Sequence, residues 1–338
     1  MRLLLSKNLV ESYVGGLISR FQVKRRRSVL FFDDIIADYA RYCEDSGHWN
    51  MMLSAAEEAG VLMARLFIPG YMKTMPPSMV FNGPGKLIWK RTGLLSDIDF
   101  SIKDGTVRIE TKDEAISDVI GCNSIAAGSW MGAASFLMGK RLALESISYK
   151  EPNSEYVFRV THDPPRVPHS KPKERYDALN SYRMEEGFSL KDAISAGVIR
   201  TDGDLMYFRG RRLFYSENTL FHLLSKCPDI GRVSVISARF FDDIIDAEAT
   251  DKEKLRLMKT LLQSMGWGIT NSIMKENGDV RVVLESPPVG LQVAENYKFL
   301  VNTIHGYMMA VDERFVLRDS VYAGRKLTMD FRRTGRTR

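Results

Sequence analysis

An internal repeat is the feature of this sequence that most restricts the folds available to it. Residues 28–43 and 212–227 each read as a short apolar strand, a helix cap and an apolar-periodic helix ending at a cysteine, with an offset of 184. Residues 86–110 and 259–283 each read as a helix that ends at a glycine and a following hairpin, with an offset of 173. The difference of 11 predicts a longer middle loop in the first copy, where residues 75–85 are rich in proline and glycine.

A third pair of segments, 120–149 and 295–322, extends the repeat. Each reads as a helix and then a strand that ends in an acid, Glu145 or Asp319, and another strand follows. Small residues at helical spacing let the first of these helices approach a sheet closely; they are Gly128, Gly132, Ser135 and Gly139. We therefore predict an α+β fold: two tandem copies of an antiparallel sheet with helices on one face, which together form an intramolecular pseudo-dimer.

A proline-rich segment separates the two copies. Residues 161–175 contain four prolines and several charges, and proline removes backbone donors and fixes φ. We predict a first domain over 1–160, a basic linker over 161–186 and a second domain with a basic tail over 187–338.

The composition is that of a globular protein large enough to bury a core without disulfides. The chain has 338 residues, of which 44% are hydrophobic and 27% charged, and its net charge is +6. No stretch reaches the roughly 20 apolar residues needed to cross a bilayer, so we expect no membrane span. Three widely separated cysteines, Cys43, Cys122 and Cys227, suit a reducing compartment. With no signal-peptide core near the N-terminus, we expect a cytoplasmic protein.

The third block of the repeat also resembles the C-terminal half of the vinyl-4-reductase domain. That fold is shared with the TRAPP vesicle-tethering subunits and, more distantly, with haem-NO-binding sensors. The pattern is a glycine-punctuated helix preceded by a cysteine, a strand ending in an acid, a turn and an aromatic-containing strand. The matching residues are Cys122, Gly128, Gly132, Gly139, Glu145 and Phe158 in the first copy, and Gly306, Asp319, Gly324 and Phe331 in the second.

The resemblance implies a lost metal site. Family members that bind zinc use cysteines after the acid-bearing strand, where this chain has Ser148 and Tyr156 in one copy and Tyr322 and Leu327 in the other. A lone Cys122 with an acid cannot complete a tetrahedral zinc shell. We expect neither a metal nor a cofactor.

The resemblance further implies a ligand pocket between the helices and the sheet, suited to aromatic, acyl or tetrapyrrole-like molecules. The expected ligand-binding residues are Trp130, Met131, Phe136, Glu145, Trp267 and Tyr307. The alternative is that this stripe of aromatic and methionine side chains is ordinary core, which is the commoner role of such a stripe at helical spacing.

No catalytic set can be defended from the sequence. Residues 240–246 read FFDDIID, which contains the DDxxD pattern that holds magnesium in prenyl synthases, but the second motif and the all-helical bundle of those enzymes are missing. The pattern is more simply a solvated acidic helix start. The shared FFDDII at residues 31–36 has an offset of 209, and we expect it to reflect either coincidence or similar helix-start chemistry. We expect no catalytic residues.

Basic clusters offer a rival function. The candidate nucleic-acid-binding residues are Lys24, Arg25, Arg26, Arg27, Arg209, Arg211 and Arg212, and they fall at equivalent places in the repeat. The alternative is that they are solvated turns, since a charge of +6 is modest for this length. We predict a non-catalytic module that senses a small hydrophobic ligand or binds a protein partner or a second copy, with nucleic-acid association as the alternative.

Overall fold

The computed structural model describes residues 1–7, 9–20, 26–166, 188–226, 228–275, 278–289 and 297–335. The first half contains α1 (Arg2–Ser6), β1 (Val10–Tyr13), β2 (Gly16–Ser19), β3 (Arg26–Phe32), α2 (Asp33–Asp45), α3 (Trp49–Phe67), α4 (Pro77–Val80), α5 (Lys86–Arg91), β4 (Asp97–Lys103), β5 (Thr106–Lys112), α6 (Ser117–Ile120), α7 (Ser124–Met138), β6 (Leu142–Lys150) and β7 (Asn153–Val160). A 3-10 turn (Gly70–Thr74) and a π turn (Phe81–Gly85) flank α4.

The second half repeats this order, with five helices among its described residues. It contains α8 (Leu190–Ser195), β8 (Arg200–Asp202), β9 (Leu205–Phe208), β10 (Arg211–Glu217), α9 (Thr219–Leu224), α10 (Arg232–Ile244), α11 (Asp251–Ser264), β11 (Ile269–Met274), β12 (Val280–Glu285), α12 (Lys298–Val311), β13 (Phe315–Ala323) and β14 (Lys326–Arg333).

The strands form three antiparallel sheets, which confirms the predicted α+β class. Each half has its own four-stranded sheet, in the orders β4-β5-β7-β6 and β11-β12-β14-β13. The third sheet has six strands in the order β1-β2-β3-β10-β9-β8, so each half contributes three of them. The two halves therefore join edge to edge through β3 and β10, as expected of a pseudo-dimer within one chain.

Backbone hydrogen bonds fix the offset of the repeat. Leu30 pairs with Tyr215 at the centre of the six-stranded sheet. The Leu30 amide donates to the Met265 carbonyl and the Tyr215 amide donates to the Thr92 carbonyl, both at 2.9 Å. These two bonds are equivalent in the repeat. Their donors, Leu30 and Tyr215, differ by 185 in residue number, and their acceptors, Thr92 and Met265, differ by 173. The sequence-based offset of 184 was therefore wrong by one residue, and the middle segment of the first half is 12 residues longer, not 11.

The final hairpins of the two halves match in register. β6 and β13 carry an irregularity at the same place, between Leu144 and Ser146 in one and between Leu317 and Asp319 in the other. The residue inside this bulge is Glu145 in the first half and Arg318 in the second. The expected equivalence of Glu145 and Asp319 was wrong, and neither residue ends its strand, because β6 continues to Lys150 and β13 to Ala323.

The glycines of α7 and α12 face other helices and not a sheet. A Cβ added at Gly132 of α7 would lie 2.0 Å from the Glu57 carbonyl oxygen of α3. A Cβ at Gly306 of α12 would lie 2.3 Å from the Ser234 carbonyl oxygen of α10. Glycine is therefore needed at both positions for the backbones to cross this closely. The close approach expected at these glycines is confirmed, but the partner is another helix and not a sheet.

The repeated FFDDII motif has different surroundings in its two copies. Phe31 and Phe32 end β3 and Asp33 begins α2, whereas Phe240 to Ile244 form the last turns of α10. The shared letters are thus coincidental. The DDxxD acids lie at the end of a helix and not at its start, so the expected favourable interaction with a helix N-terminus does not apply to them.

The structure describes two of the three cysteines and only the beginning of the predicted linker. Cys43 is buried and disulfide-bonded, whereas the sequence favoured reduced thiols; Cys122 is exposed and free. Cys227 and most of residues 161–186 lie outside the described residues, so the three domain boundaries and the cytoplasmic location stay predictions. Within the part of the chain that the structure describes, no helix is long and apolar enough to cross a membrane.

Candidate ligand-binding cavity

A largely apolar cavity of about 290 Å³ lies between the α3–α7 helix pair of the first half and β10 and α9 of the second. The helices contribute Gly60, Ala64, Ala126 and Ala133, and their small side chains leave the space open. Phe214 to Glu217 of β10 close the opposite side. The site therefore depends on both halves of the chain.

The residues that lengthen the first half form a further wall of this cavity. Ile68, Tyr71, Met72 and Pro84 line it from the segment between α3 and α5. This segment is held on β4 by Asn82, whose side-chain amide donates to the Phe100 carbonyl at 3.0 Å and whose side-chain oxygen accepts from the Phe100 amide at 2.8 Å. The loop predicted from the offsets is thus an ordered part of the site.

Aromatic rings pack beneath this segment. Phe81 stacks on Phe100 with ring centroids 4.4 Å apart, and Trp89 meets Trp130 edge to face at 5.0 Å. Of these four rings, Phe81, Trp89 and Trp130 line the cavity. Offset and edge-to-face geometry of this kind stabilises aromatic packing.

A buried carboxylate forms the polar part of the lining. Glu114 is 3% exposed and accepts from the Trp130 indole nitrogen at 2.5 Å and from the Ser117 hydroxyl at 2.7 Å. Thr111 donates to it at 3.3 Å, and Tyr156 donates to the same oxygen as Ser117. Three of these donors share Oε2, and the Trp130 indole alone donates to Oε1. Burial and the neighbouring Glu114 raise the pKa of Tyr156 well above its ordinary value, so this phenol stays a donor.

The second half carries larger side chains at three positions equivalent to the cavity lining. Three positions of the cavity lining, Leu94, Ala126 and Ser216, have as their equivalents Trp267, Phe299 and Phe31. The Phe31 ring lies 5.8 Å from the Trp267 ring and 6.5 Å from the Phe299 ring. At these three positions the second half therefore carries the larger side chain.

Of the six expected ligand-binding residues, Trp130 is the one that lines the cavity. Met131 is buried in the core beside it, and Phe136 is half-buried, with the Lys73 ammonium 4.2 Å from its ring centroid. Glu145 forms a salt bridge with Arg159 at the bulge of β6.

The two candidates from the second half belong to its packed core. Trp267 is 2% exposed and donates its indole N–H to the Leu30 carbonyl at 2.8 Å. Tyr307 is fully buried and stacks on Phe241 with centroids 4.4 Å apart. For these two residues the alternative of ordinary core describes what the structure shows.

Two of the candidate nucleic-acid-binding arginines are buried and bind the protein itself. Arg27 is 3% exposed and donates to the carbonyls of Gly266 at 2.9 Å and Ser286 at 3.1 Å. Arg212 is 9% exposed and donates to the Asp113 carbonyl at 2.7 Å and to the Asp118 carboxylate at 2.9 Å. Neither guanidinium faces solvent, so neither is placed to meet a phosphate.

The exposed arginines of the second cluster are paired with the acids of the DDxxD pattern. Arg209 donates to Asp246 at 3.1 Å and to the Ile244 carbonyl at 2.6 Å. Arg211 donates to Asp243 at 3.3 Å and to Asp34 at 3.4 Å. The basic turn and the acidic segment thus neutralise one another. Lys24, Arg25 and the side chain of Arg26 lie outside the described residues.

Sequence reasoning missed several cavity residues, among them Glu114, Ser216 and Glu217. The available signal was the repeat itself: with the offsets of 173 and 185, small residues of one copy stand opposite aromatic residues of the other. Among the described residues no group of three or more acids, cysteines and histidines is arranged to hold a metal ion.

The comparisons with known proteins are sparse. No protein-family model matches the chain, and none of the curated proteins matches it. A similar solved structure is the trafficking protein particle complex subunit 3 from Naegleria fowleri, covalently bound to palmitic acid. It shares 10% sequence identity with a TM-score of 0.30, over 40% of this chain and 98% of that chain. This neighbour is a TRAPP subunit, one of the relatives that the sequence resemblance named.

Proposed function

We propose that this protein binds a small apolar ligand in the cavity of its first half and acts as a ligand-sensing module without catalysis of its own. The observation that carries the proposal is the difference between the repeats. Where the second half packs Trp267, Phe299 and Phe31, the first half has smaller side chains around a cavity. A cavity of about this size, with apolar walls and few polar groups, is typical of sites for small molecules.

The position of the cavity supports a sensing role. Its walls come from α3 and α7 of the first half and from β10 and α9 of the second, so an occupant contacts both halves at once. β10 is also the strand through which the halves join. A ligand that binds the folded chain and not the unfolded one stabilises this arrangement in proportion to its concentration and affinity.

A direct experiment uses tert-butylbenzene as an uncharged probe. We expect it to raise the thermal midpoint of the wild-type protein in a concentration-dependent way. The variant Ala126→Phe introduces the side chain that Phe299 supplies in the second half, and it should abolish this response. The control Ala143→Phe adds the same ring at an exposed position of β6 and should respond as the wild type does.

Native mass spectrometry of protein purified from its own cells, before and after denaturation, complements this test. Release of a bound small molecule would support the proposal. An unliganded mass together with no response to the probe would overturn it.

We propose, as a second function, association with another copy of the chain through the edge of the second half. β11 is an edge strand, and its Ile273 and Met274 are 56% and 55% exposed. Apolar side chains on an unpaired strand edge favour pairing with another chain. Sedimentation equilibrium should show a dimer that dissociates when both residues are replaced by lysine, and a monomeric wild type would contradict this.

We also propose that the chain is a divergent tandem relative of the vinyl-4-reductase domains. Phe158 and Phe331 support this, because they occupy equivalent buried positions in β7 and β14. The close helix contacts of Gly132 and Gly306 support it as well. An experimental structure in which each repeat superposes on a whole vinyl-4-reductase domain would test the relationship.

A further inference from the structure

We infer that the cavity prefers an organic cation, an aliphatic or aryl ammonium group, to an uncharged or anionic ligand of the same shape. This inference rests on the proposed function and specifies the chemical class of the ligand. Its basis is the combination of aromatic walls with the buried carboxylate of Glu114.

A quarter of the residues that line the cavity are aromatic. Seven aromatic side chains border the cavity, including Trp89 and Trp130 of the first half and Phe214 and Tyr215 of the second. The face of an aromatic ring carries partial negative charge and attracts a cation, most strongly where water is excluded. Enclosure by several rings is the arrangement that recognises quaternary ammonium groups.

Glu114 strengthens this preference from behind Trp130. The indole N–H donates to the Glu114 carboxylate at 2.5 Å, which shifts electron density toward the ring that faces the cavity. The other donors to Glu114 are the hydroxyls of Thr111, Ser117 and Tyr156, all uncharged groups. The described donors to the Glu114 carboxylate are thus all neutral, and they lie in a poorly screened space.

The rest of the lining does not favour an anion. Among the described residues that border the cavity there is no lysine, arginine or histidine. Burial of an anion without a cationic partner is costly. A carboxylate ligand would therefore have to leave its head group at the mouth, near the exposed Tyr71.

The experiment compares phenyltrimethylammonium with tert-butylbenzene, its uncharged isostere, and with 4-tert-butylbenzoate, by calorimetry on the full chain. We expect the cation to bind at least tenfold more tightly than the isostere and the benzoate to bind most weakly. Glu114→Gln should reduce the tenfold preference to within about threefold while leaving tert-butylbenzene affinity within about twofold. Glu145→Gln removes the same charge from the β6 bulge and should leave the preference unchanged.

The measured affinities distinguish a failure of the cation preference from a failure of the proposed ligand-binding function. Binding of tert-butylbenzene with equal or greater affinity than the cation would overturn this inference and leave the ligand-binding function standing. Binding of none of the three probes would overturn both. The wild-type affinity ratio decides the matter even where Glu114→Gln does not fold.

Discussion

Arg27 and Arg212 occupy equivalent positions of the two repeats, and each guanidinium binds backbone carbonyls of the opposite half. Arg27 reaches Gly266 and Ser286 of the second half. Arg212 reaches Gly93 and Asp113 of the first, which are their equivalents at the offset of 173. Arg27 and Arg212 thus join the halves through equivalent pairs of bonds, to Gly266 and Ser286 and to Gly93 and Asp113.

Arg212→Met is expected to destabilise the protein by about 3–5 kcal/mol, because it leaves buried carbonyls and the Asp118 carboxylate without a donor. Urea denaturation at pH 7 measures this change. Arg159→Met is the matched control, since Arg159 is 73% exposed and pairs with Glu145 on the surface. The Arg159→Met substitution should lower the free energy of unfolding by less than about 1 kcal/mol. Equal losses in the two variants would contradict a structural role for Arg212.

The sequence predicted the parts of the fold that depend on local pattern. Strands β6 and β7 and helix α7 follow from alternation and glycine spacing, and their copies in the second half have matching bounds. The pairing of β3 with β10 joins residues about 185 positions apart, and no local pattern encodes such a contact. The basic clusters were misread for the same reason, because burial of Arg27 and Arg212 depends on that pairing.

The sequence predicted a pocket lined by aromatic and apolar side chains, but it identified few of the residues that line the cavity. Aromatic side chains at helical spacing indicate either a pocket or a core, and packing decides between them. Trp130 lines the cavity beside Phe81 and Trp89, whereas Trp267 is enclosed by Phe31 and Phe221. Glu114 lies in the segment between β5 and α6, where the sequence carries no periodic signal.

Asp33 makes the stability of this protein depend on pH. Burial, with a smaller contribution from Asp34, raises the pKa of Asp33 to about 7. The folded state therefore keeps a proton that the unfolded state releases near pH 4, and stability falls as the pH rises from about 4 to 7.

Asp33→Asn should remove this dependence while its side-chain oxygen still accepts from the Asp34 amide, which lies 2.8 Å from Asp33 Oδ1 in the wild type. We expect the variant to exceed the wild type in unfolding free energy by on the order of 2–4 kcal/mol at pH 8 and to match it below about pH 4. Denaturation curves at pH 8, 6 and 4.5 measure the difference. The exposed Asp38→Asn serves as control, and a pH-independent gain in Asp33→Asn would count against this explanation.

Substitution of Gly132 by alanine tests whether the fold requires α3 and α7 to cross as closely as they do. An added Cβ would lie 2.0 Å from the Glu57 carbonyl oxygen and 2.8 Å from the Val61 amide nitrogen, both backbone atoms that cannot turn away. Gly132→Ala should cost about 1–3 kcal/mol and weaken probe binding, since α3 and α7 form walls of the cavity. Gly70→Ala meets no atom within 4 Å and should change stability by less than about 0.5 kcal/mol. A Gly132→Ala variant as stable as the wild type would show that the helices can separate freely.

Tyr307 and Tyr156 are both fully buried, but they differ in the hydrogen bonding of their hydroxyl groups. The Tyr156 hydroxyl donates to Glu114 and lies 3.0 Å from the Ser117 hydroxyl. The Tyr307 hydroxyl has no hydrogen-bond partner among the described residues. Burial raises the pKa of Tyr307 above its usual value, so the phenol stays protonated at neutral pH.

The same substitution should therefore act in opposite directions at the two positions. Tyr307→Phe keeps the stacking on Phe241 and removes a buried polar atom, so we expect it to be neutral or to stabilise the fold by up to about 1 kcal/mol. Tyr156→Phe takes a donor from a buried carboxylate and should cost about 1–3 kcal/mol. Unfolding free energies from urea titration, measured for both variants at pH 7, give the comparison. A loss at Tyr307 as large as that at Tyr156 would mean that its hydroxyl has a partner and that the packing of the second half differs from the one described.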